Sequence, residues 1–190
     1  MIRIGILGNI GSGKSYVAKN FGYPVFNADY EVSKLYKKNK KIFVKLNKKL
    51  PRHISKFPID KNEITYAILS NKNNLKKIIY IVHKEIRKKL RLFLKKNKNK
   101  KIVILDIPLL LENKINTKKD ILVFIDSKKE EIEKRLKNRP NFNHRLFNRF
   151  KKIQFSSSYK KKKSHFIIKN TFKKESVKIN IENILKKISK

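Results

Sequence analysis

Short apolar runs alternate along this chain with longer stretches in which apolar residues return every three or four positions. Ile2, Ile4, Ile6 and Leu7 predict a strand running into Gly8, residues 14–21 a helix closed by Gly22, and Val25 and Phe26 a second short strand. From 30 to about 50 the pattern is helical and lysine-rich; a looser stretch with Pro51 and Pro58 leads to a helix over 61–69. The strongest helical signal covers 73–96, where Leu75, Ile78, Ile79, Val82, Ile86, Leu90 and Phe93 recur at steps of three and four. Strands follow at 102–105, ending at Asp106, and at 121–125; a helix at 128–139, a strand at 166–168 and a helix at 174–188 complete the reading. Strands alternating with helices predict an α/β fold with a parallel sheet. The helical block at 30–96 breaks the alternation and predicts an inserted substrate-binding subdomain.

Composition narrows this picture in two ways. A chain of 190 residues with 39% hydrophobic content suits one domain with one core. The absence of cysteine excludes a disulfide scaffold, a thiolate metal site and a cysteine nucleophile. The apolar runs at 102–105 and 107–111, split by Asp106, are too short to span a bilayer, and the glycine-rich start does not read as a signal peptide. The expectation is a soluble, cytoplasmic protein without a membrane partner.

Charge alters the picture less than its size invites. The net charge is +37, yet 43 of the 51 basic residues are Lys and only 8 are Arg, spread over nearly every polar segment. A dedicated nucleic-acid reader uses the forked guanidinium more freely. The pattern therefore favours a solvated lysine-rich surface over a specific nucleic-acid partner, although such a surface concentrates polyanionic substrates.

Residues 8–15 read G-N-I-G-S-G-K-S and match the phosphate-loop pattern G-x-x-x-x-G-K-S/T, placed after a strand and opening a helix. Gly8, Gly11 and Gly13 let the backbone curl so that N–H groups, Ser12 included, face a triphosphate. Lys14 reaches the β- and γ-phosphates, and the Ser15 hydroxyl ligates Mg²⁺. Two carboxylates follow strands. Asp29 reads equally as a group facing the nucleotide or as the N-cap of a helix starting at Tyr30. Asp106 reads as a carboxylate in the outer shell of Mg²⁺ or as a turn residue, and Glu112 as a surface residue. In a chain this poor in Arg, four of the eight, Arg135, Arg139, Arg145 and Arg149, fall within fifteen residues. A bidentate grip on phosphate explains that clustering better than a solvated helix does.

In order, G-N-I-G-S-G-K-S, N-A-D (27–29), I-D-K (59–61), the His83 helix, I-P-L-L-L-E (107–112), K-R-x-x-x-R (134–139) and the run from Gln154 to Asn170 ending F-I-I-K-N resemble the dephospho-coenzyme A kinase family. The resemblance covers essentially the whole chain. It implies a three-layer P-loop kinase fold: a nucleotide-binding core (1–29, 100–139 and 165–190), a helical coenzyme-binding part (about 30–97) and a lid (about 139–164). It implies ATP-dependent phosphorylation of the ribose 3′-hydroxyl of dephospho-coenzyme A, with Mg²⁺ accompanying ATP. Gly11 to Tyr16 would hold ATP, Asp29 would orient and deprotonate the acceptor hydroxyl, and Arg139 would touch the ATP end. Departures from the pattern are Asn27 for the first Asp of D-A-D, Tyr16 for Thr, Lys84 for Pro after His83, and Ser164-His165 for Ala-Asp. For His83, packing and catalysis both stand open. The competing readings are another small P-loop nucleoside or nucleotide kinase and a basic nucleic-acid-binding protein with a vestigial ATP site.

Overall fold

The computed structural model describes residues 1–140 and 142–188. Its sheet has five parallel strands: β1 (Ile2–Gly8), β2 (Val25–Asn27), β3 (Ile102–Asp106), β4 (Ile121–Asp126) and β5 (Phe166–Lys169), in the spatial order β2-β3-β1-β4-β5. Each strand runs one residue beyond the apolar run that predicts it. The ladder continues into Gly8, Asn27, Asp106 and Asp126, where the carboxyl ends of the strands meet the loops.

Strands buried on both faces explain the near-continuous apolar runs. On one face Ile4, Ile6, Ile104, Val123 and Ile125 pack with Val17 and Ala18 of α1 (Lys14–Asn20) and with Val177, Ile181 and Ile184 of α9 (Lys174–Ile188). On the other, Val103, Leu105, Leu122 and Phe124 are buried as well. There Gly5 leaves room for its neighbours, since a Cβ would stand 2.6 Å from Leu110 and 2.9 Å from Leu122. Overpacking of that kind costs about 1–3 kcal/mol.

The remaining helices are α2 (Ala28–Lys38), α3 (Lys40–Lys49), α4 (Lys61–Ser70), α5 (Lys72–Lys96), α6 (Lys129–Lys137), α7 (His144–Lys152) and α8 (Ser157–Lys163). The chain forms two compact units. One comprises Met1–Asn27, Asn97–Asn143 and Lys151–Lys190; the other comprises Ala28–Lys96 and His144–Phe150. The segment at 139–164, expected as a lid, is thus shared: residues 144–150 group with the helical unit and the flanking stretches with the sheet unit.

In the helical unit α5 is the spine. Its stripe Leu75, Ile78, Val82, Ile86 and Leu90 is buried, and α2, α3 and α4 pack along it. The helix expected over 30–50 is two helices, because Asn39 accepts the Ile42 N–H at 3.0 Å and starts α3 afresh. Asp60, within I-D-K, caps α4 in the same way through the Asn62 N–H at 2.9 Å. The helix expected over 128–139 ends at Lys137. Arg139 precedes Pro140, which disfavours helical backbone, so Arg135 and Arg139 do not share a helical face.

Among the described residues no helix is long and apolar enough to cross a membrane.

Candidate active site

The phosphate loop sits between the end of β1 and the start of α1. Gly11 and Gly13 take φ values of 84° and 87°, the left-handed region that a side chain disfavours. Space is short there too: a Cβ on Gly11 would stand 3.0 Å from Ile132 of α6, and one on Gly13 would stand 2.5 Å from the Asn170 amide nitrogen, which would have to shift. Successive N–H groups in such a curl form an anion-binding concavity at a helix start. Lys14 folds back over the loop, donating to the Asn9 carbonyl at 2.8 Å and the Gly8 carbonyl at 3.2 Å. Ser15 and Tyr16 are exposed in the first turn of α1, and Ser12 is buried.

Three side chains outside the motif hold this loop. The Ser12 carbonyl accepts from the Asn170 Nδ2 at 2.9 Å and from the Ser127 hydroxyl at 3.0 Å. Asn9 and Ser157 of α8 exchange hydrogen bonds at 2.8 and 3.1 Å. Sequence reasoning names none of these partners. Asn170 carries a signal, as the closing residue of F-I-I-K-N; Ser127 and Ser157 carry none, because their roles depend on loops meeting across the sheet.

The segment bearing Ser157 is itself anchored. Glu112 lies in a turn, with its side chain 8% exposed; it pairs with the buried Lys160 at 3.2 Å and accepts the Phe155 N–H at 2.8 Å. Glu112 is therefore a buried anchor and not a surface residue. Breaking one partner of such a pair costs about 3–5 kcal/mol, because a charge is left buried alone. Lys161 pairs with Asp126 at 2.7 Å, so half of the lysine run at 160–163 is committed to carboxylates of the sheet unit.

Asp106 ends β3 beside Asn27 of β2 and is 2% exposed. The Asn27 Nδ2 donates to its Oδ2 at 2.6 Å. An Asp at position 27 would set two carboxylates face to face and require a shared proton; the amide supplies a donor instead. The other departures are also absorbed locally. The Ser164 hydroxyl donates to the Lys160 carbonyl at 2.8 Å, and His165 Nδ1 accepts the Leu122 N–H at 3.0 Å. Lys84 is exposed on α5.

In the helical unit, α2 begins at Ala28, so Asp29 occupies its first turn and not the capping position before it. Asp29 is exposed. A carboxylate there faces the positive end of the helix dipole. His83 is half-buried on α5, and burial, reinforced by the Arg87 charge, holds its imidazole pKa below the usual value. In the sheet unit Arg135 lies over the Phe172 ring at 4.4 Å, and Arg139 is exposed just past α6. Arg145 and Arg149 are on α7, within the helical unit.

A metal carried by a nucleotide needs only one or two protein oxygens, because Mg²⁺ keeps several waters and takes phosphate oxygens. An exposed Ser15 hydroxyl and the Asp106 carboxylate fit that limited demand.

Comparison with known proteins identifies the scaffold. The dephospho-CoA kinase of Wolbachia pipientis wMel is 34% identical over 187 residues, covering 96% of this chain and 95% of the relative. That of the Wolbachia of Brugia malayi is 32% identical over 191 residues, covering 98% and 97%. Among solved structures, TT1252 from Thermus thermophilus superimposes with a TM-score of 0.76 at 26% identity, covering 98% of this chain and 97% of that one. The dephospho-CoA kinase from Campylobacter jejuni shares the fold, with a TM-score of 0.63 at 23% identity and coverage of 98% and 96%. The family model for dephospho-CoA kinase matches residues 2–175, a span that holds the phosphate loop, Asp29, Asp106 and Asn170. This chain belongs to the dephospho-CoA kinase family.

Proposed function

We infer that the protein phosphorylates the ribose 3′-hydroxyl of dephospho-coenzyme A with ATP, giving coenzyme A and ADP. Family membership along the length that contains every loop described above carries this reading. The curled, lysine-covered loop at the start of α1 is the physical basis for ATP as donor.

The chemistry asks mainly for positioning and charge neutralisation, because the transferred phosphoryl passes through a loose transition state. The loop N–H groups grip the phosphates, and Lys14 exchanges its carbonyl partners for β- and γ-oxygens. Asp29 holds the acceptor hydroxyl in line. As the new bond from the 3′-oxygen to phosphorus forms and the bridge to the β-phosphate breaks, Asp29 takes the hydroxyl proton. Arg139 supplies a fork to the ATP phosphates. Ser15 and Asp106 would hold Mg²⁺, Ser15 directly and Asp106 through water; its contribution is to neutralise phosphate charge. The helical unit provides the coenzyme-binding part. Both substrates are polyanions that cross bilayers poorly, which supports a cytoplasmic site of action.

A coupled ADP-release assay offering dephospho-coenzyme A, adenosine, AMP and shikimate tests the acceptor. Turnover only with dephospho-coenzyme A is expected; preferred turnover of any other acceptor overturns the reading.

A further inference from the structure

The phosphate-loop motif explains which residues line the loop but not what fixes the direction of each peptide. The Ser12–Gly13 peptide is the informative one. Its carbonyl receives two donors from different loops, the Asn170 Nδ2 at 2.9 Å and the Ser127 hydroxyl at 3.0 Å. In a trans peptide the N–H points opposite to the C=O. Two donors drawing the Ser12 oxygen toward the body of the unit therefore turn the Gly13 N–H the other way, into the curl that faces the phosphates.

Asn170 is built for this task. It is 3% exposed, and its own backbone N–H is tied to the Asp126 carbonyl at 2.7 Å. Its Oδ1 accepts the Phe172 N–H at 2.9 Å, which settles the orientation of the amide and leaves Nδ2 for Ser12. The Asn170 amide also occupies the space in which a side chain at position 13 would stand. Ser127 reaches the same oxygen from the residue after β4, so the direction of the carbonyl is set by both donors together.

We propose that Asn170 and Ser127 are positioning residues that clamp the Ser12 carbonyl and thereby aim the Gly13 N–H at ATP, an assignment that rests on the kinase reading above. The clamp acts on ATP and not on the acceptor. Asn170→Asp removes the donor while keeping the oxygen that serves Phe172. Ser127→Ala removes the other donor without changing charge, and Ser127→Thr retains the hydroxyl.

The test is calorimetric titration of each full-length variant with ATP, alongside ADP-release kinetics and thermal melting. Asn170→Asp is expected to raise the Kd for ATP about tenfold, and Ser127→Ala about threefold, as the loss of a buried donor predicts. The KM for dephospho-coenzyme A should stay within about twofold in both, and Ser127→Thr should bind ATP about as the unaltered protein does. Because Ser127→Ala is neutral, weaker binding there cannot be ascribed to an added carboxylate. Unchanged ATP affinity in Ser127→Ala and Asn170→Asp, or an equal rise in both KM values, overturns the clamp. Should Asn170→Asp not fold, the Ser127 pair decides alone by the same criterion. ATP binding is read without acceptor, so a protein that binds ATP but ignores dephospho-coenzyme A overturns the acceptor reading and leaves the clamp to be judged by its own Kd values.

Discussion

The two units of this protein have interiors of different kinds. In the sheet unit, polar side chains are taken out of water and spent on geometry: Asp106, Asp120, Lys160 and Asn170 are all buried. Most of these fix a loop at the carboxyl edge of the sheet, and Asp120 holds Arg3 at 2.9 Å elsewhere in the unit. In the helical unit the interior is a stripe of Leu, Ile and Val along α5, and Asn74 is the one buried polar residue among those described. Hydrogen bonds are directional and apolar contacts are not, so the first unit specifies atom positions while the second specifies a surface. A phosphoryl donor needs the former, and a large flexible acceptor can be held by the latter.

Substitutions can break this contrast. Lys14→Ala should have the largest effect, lowering kcat by roughly 10³-fold or more while the melting temperature stays near that of the parent, because the lost charge acts in the transition state. Near-normal turnover in a folded Lys14→Ala protein would remove the loop from the chemistry. Asp29→Asn places the same question in the helical unit. A loss of roughly 10²–10³-fold in kcat with an unchanged melting temperature is expected of a proton acceptor. Unchanged turnover would reduce the helical unit to binding alone.

Arginine sharpens the comparison at smaller scale. Arg139→Lys keeps charge but loses the fork, and kcat/KM for ATP should fall about tenfold. The same change at Arg91, exposed on α5, should be silent in the same assay. Equal behaviour of the two would make the arginine cluster a matter of composition. The smallest effect is expected at His83. Because burial and Arg87 depress its pKa, the folded protein resists a proton that the unfolded chain accepts near pH 6.5. Stability is therefore fully present above that pH and declines as pH falls below it. His83→Gln should flatten this acid-side decline in a series of melting curves, with little change at pH 8.

What could be read from residues alone follows from the same contrast. The α5 stripe and the strand runs were legible because apolar periodicity is local. The phosphate loop was legible because its glycines and Lys14 are contiguous. Arg139 lies off its helix for a reason also present in the sequence, the proline that follows it. By contrast, Asn39 dividing α2 from α3 was masked by uniform lysines on either side. Glu112 looked like a surface residue because its partners, Lys160 and the Phe155 N–H, are more than forty positions away. Asn170 on Ser12 is more distant still. Directional contacts between remote loops leave no periodic trace, so the fold was more readable than the details of the site.

The register of the sheet also bears on how the chain acquires its shape during synthesis. Ile2 of β1 is paired with Ile102 of β3, and β2 has β3 as its neighbour. Neither of the first two strands has a partner until β3 has left the ribosome. At about 5–20 residues per second, a delay of roughly 5–20 s separates β1 from its first neighbour. Throughout that interval Ile4, Ile6 and Leu7 lack the neighbouring strands against which they are later buried, while α2 to α5 have one another to pack against. The order of emergence is thus the helices α2 to α5 first and the completed nucleotide site last.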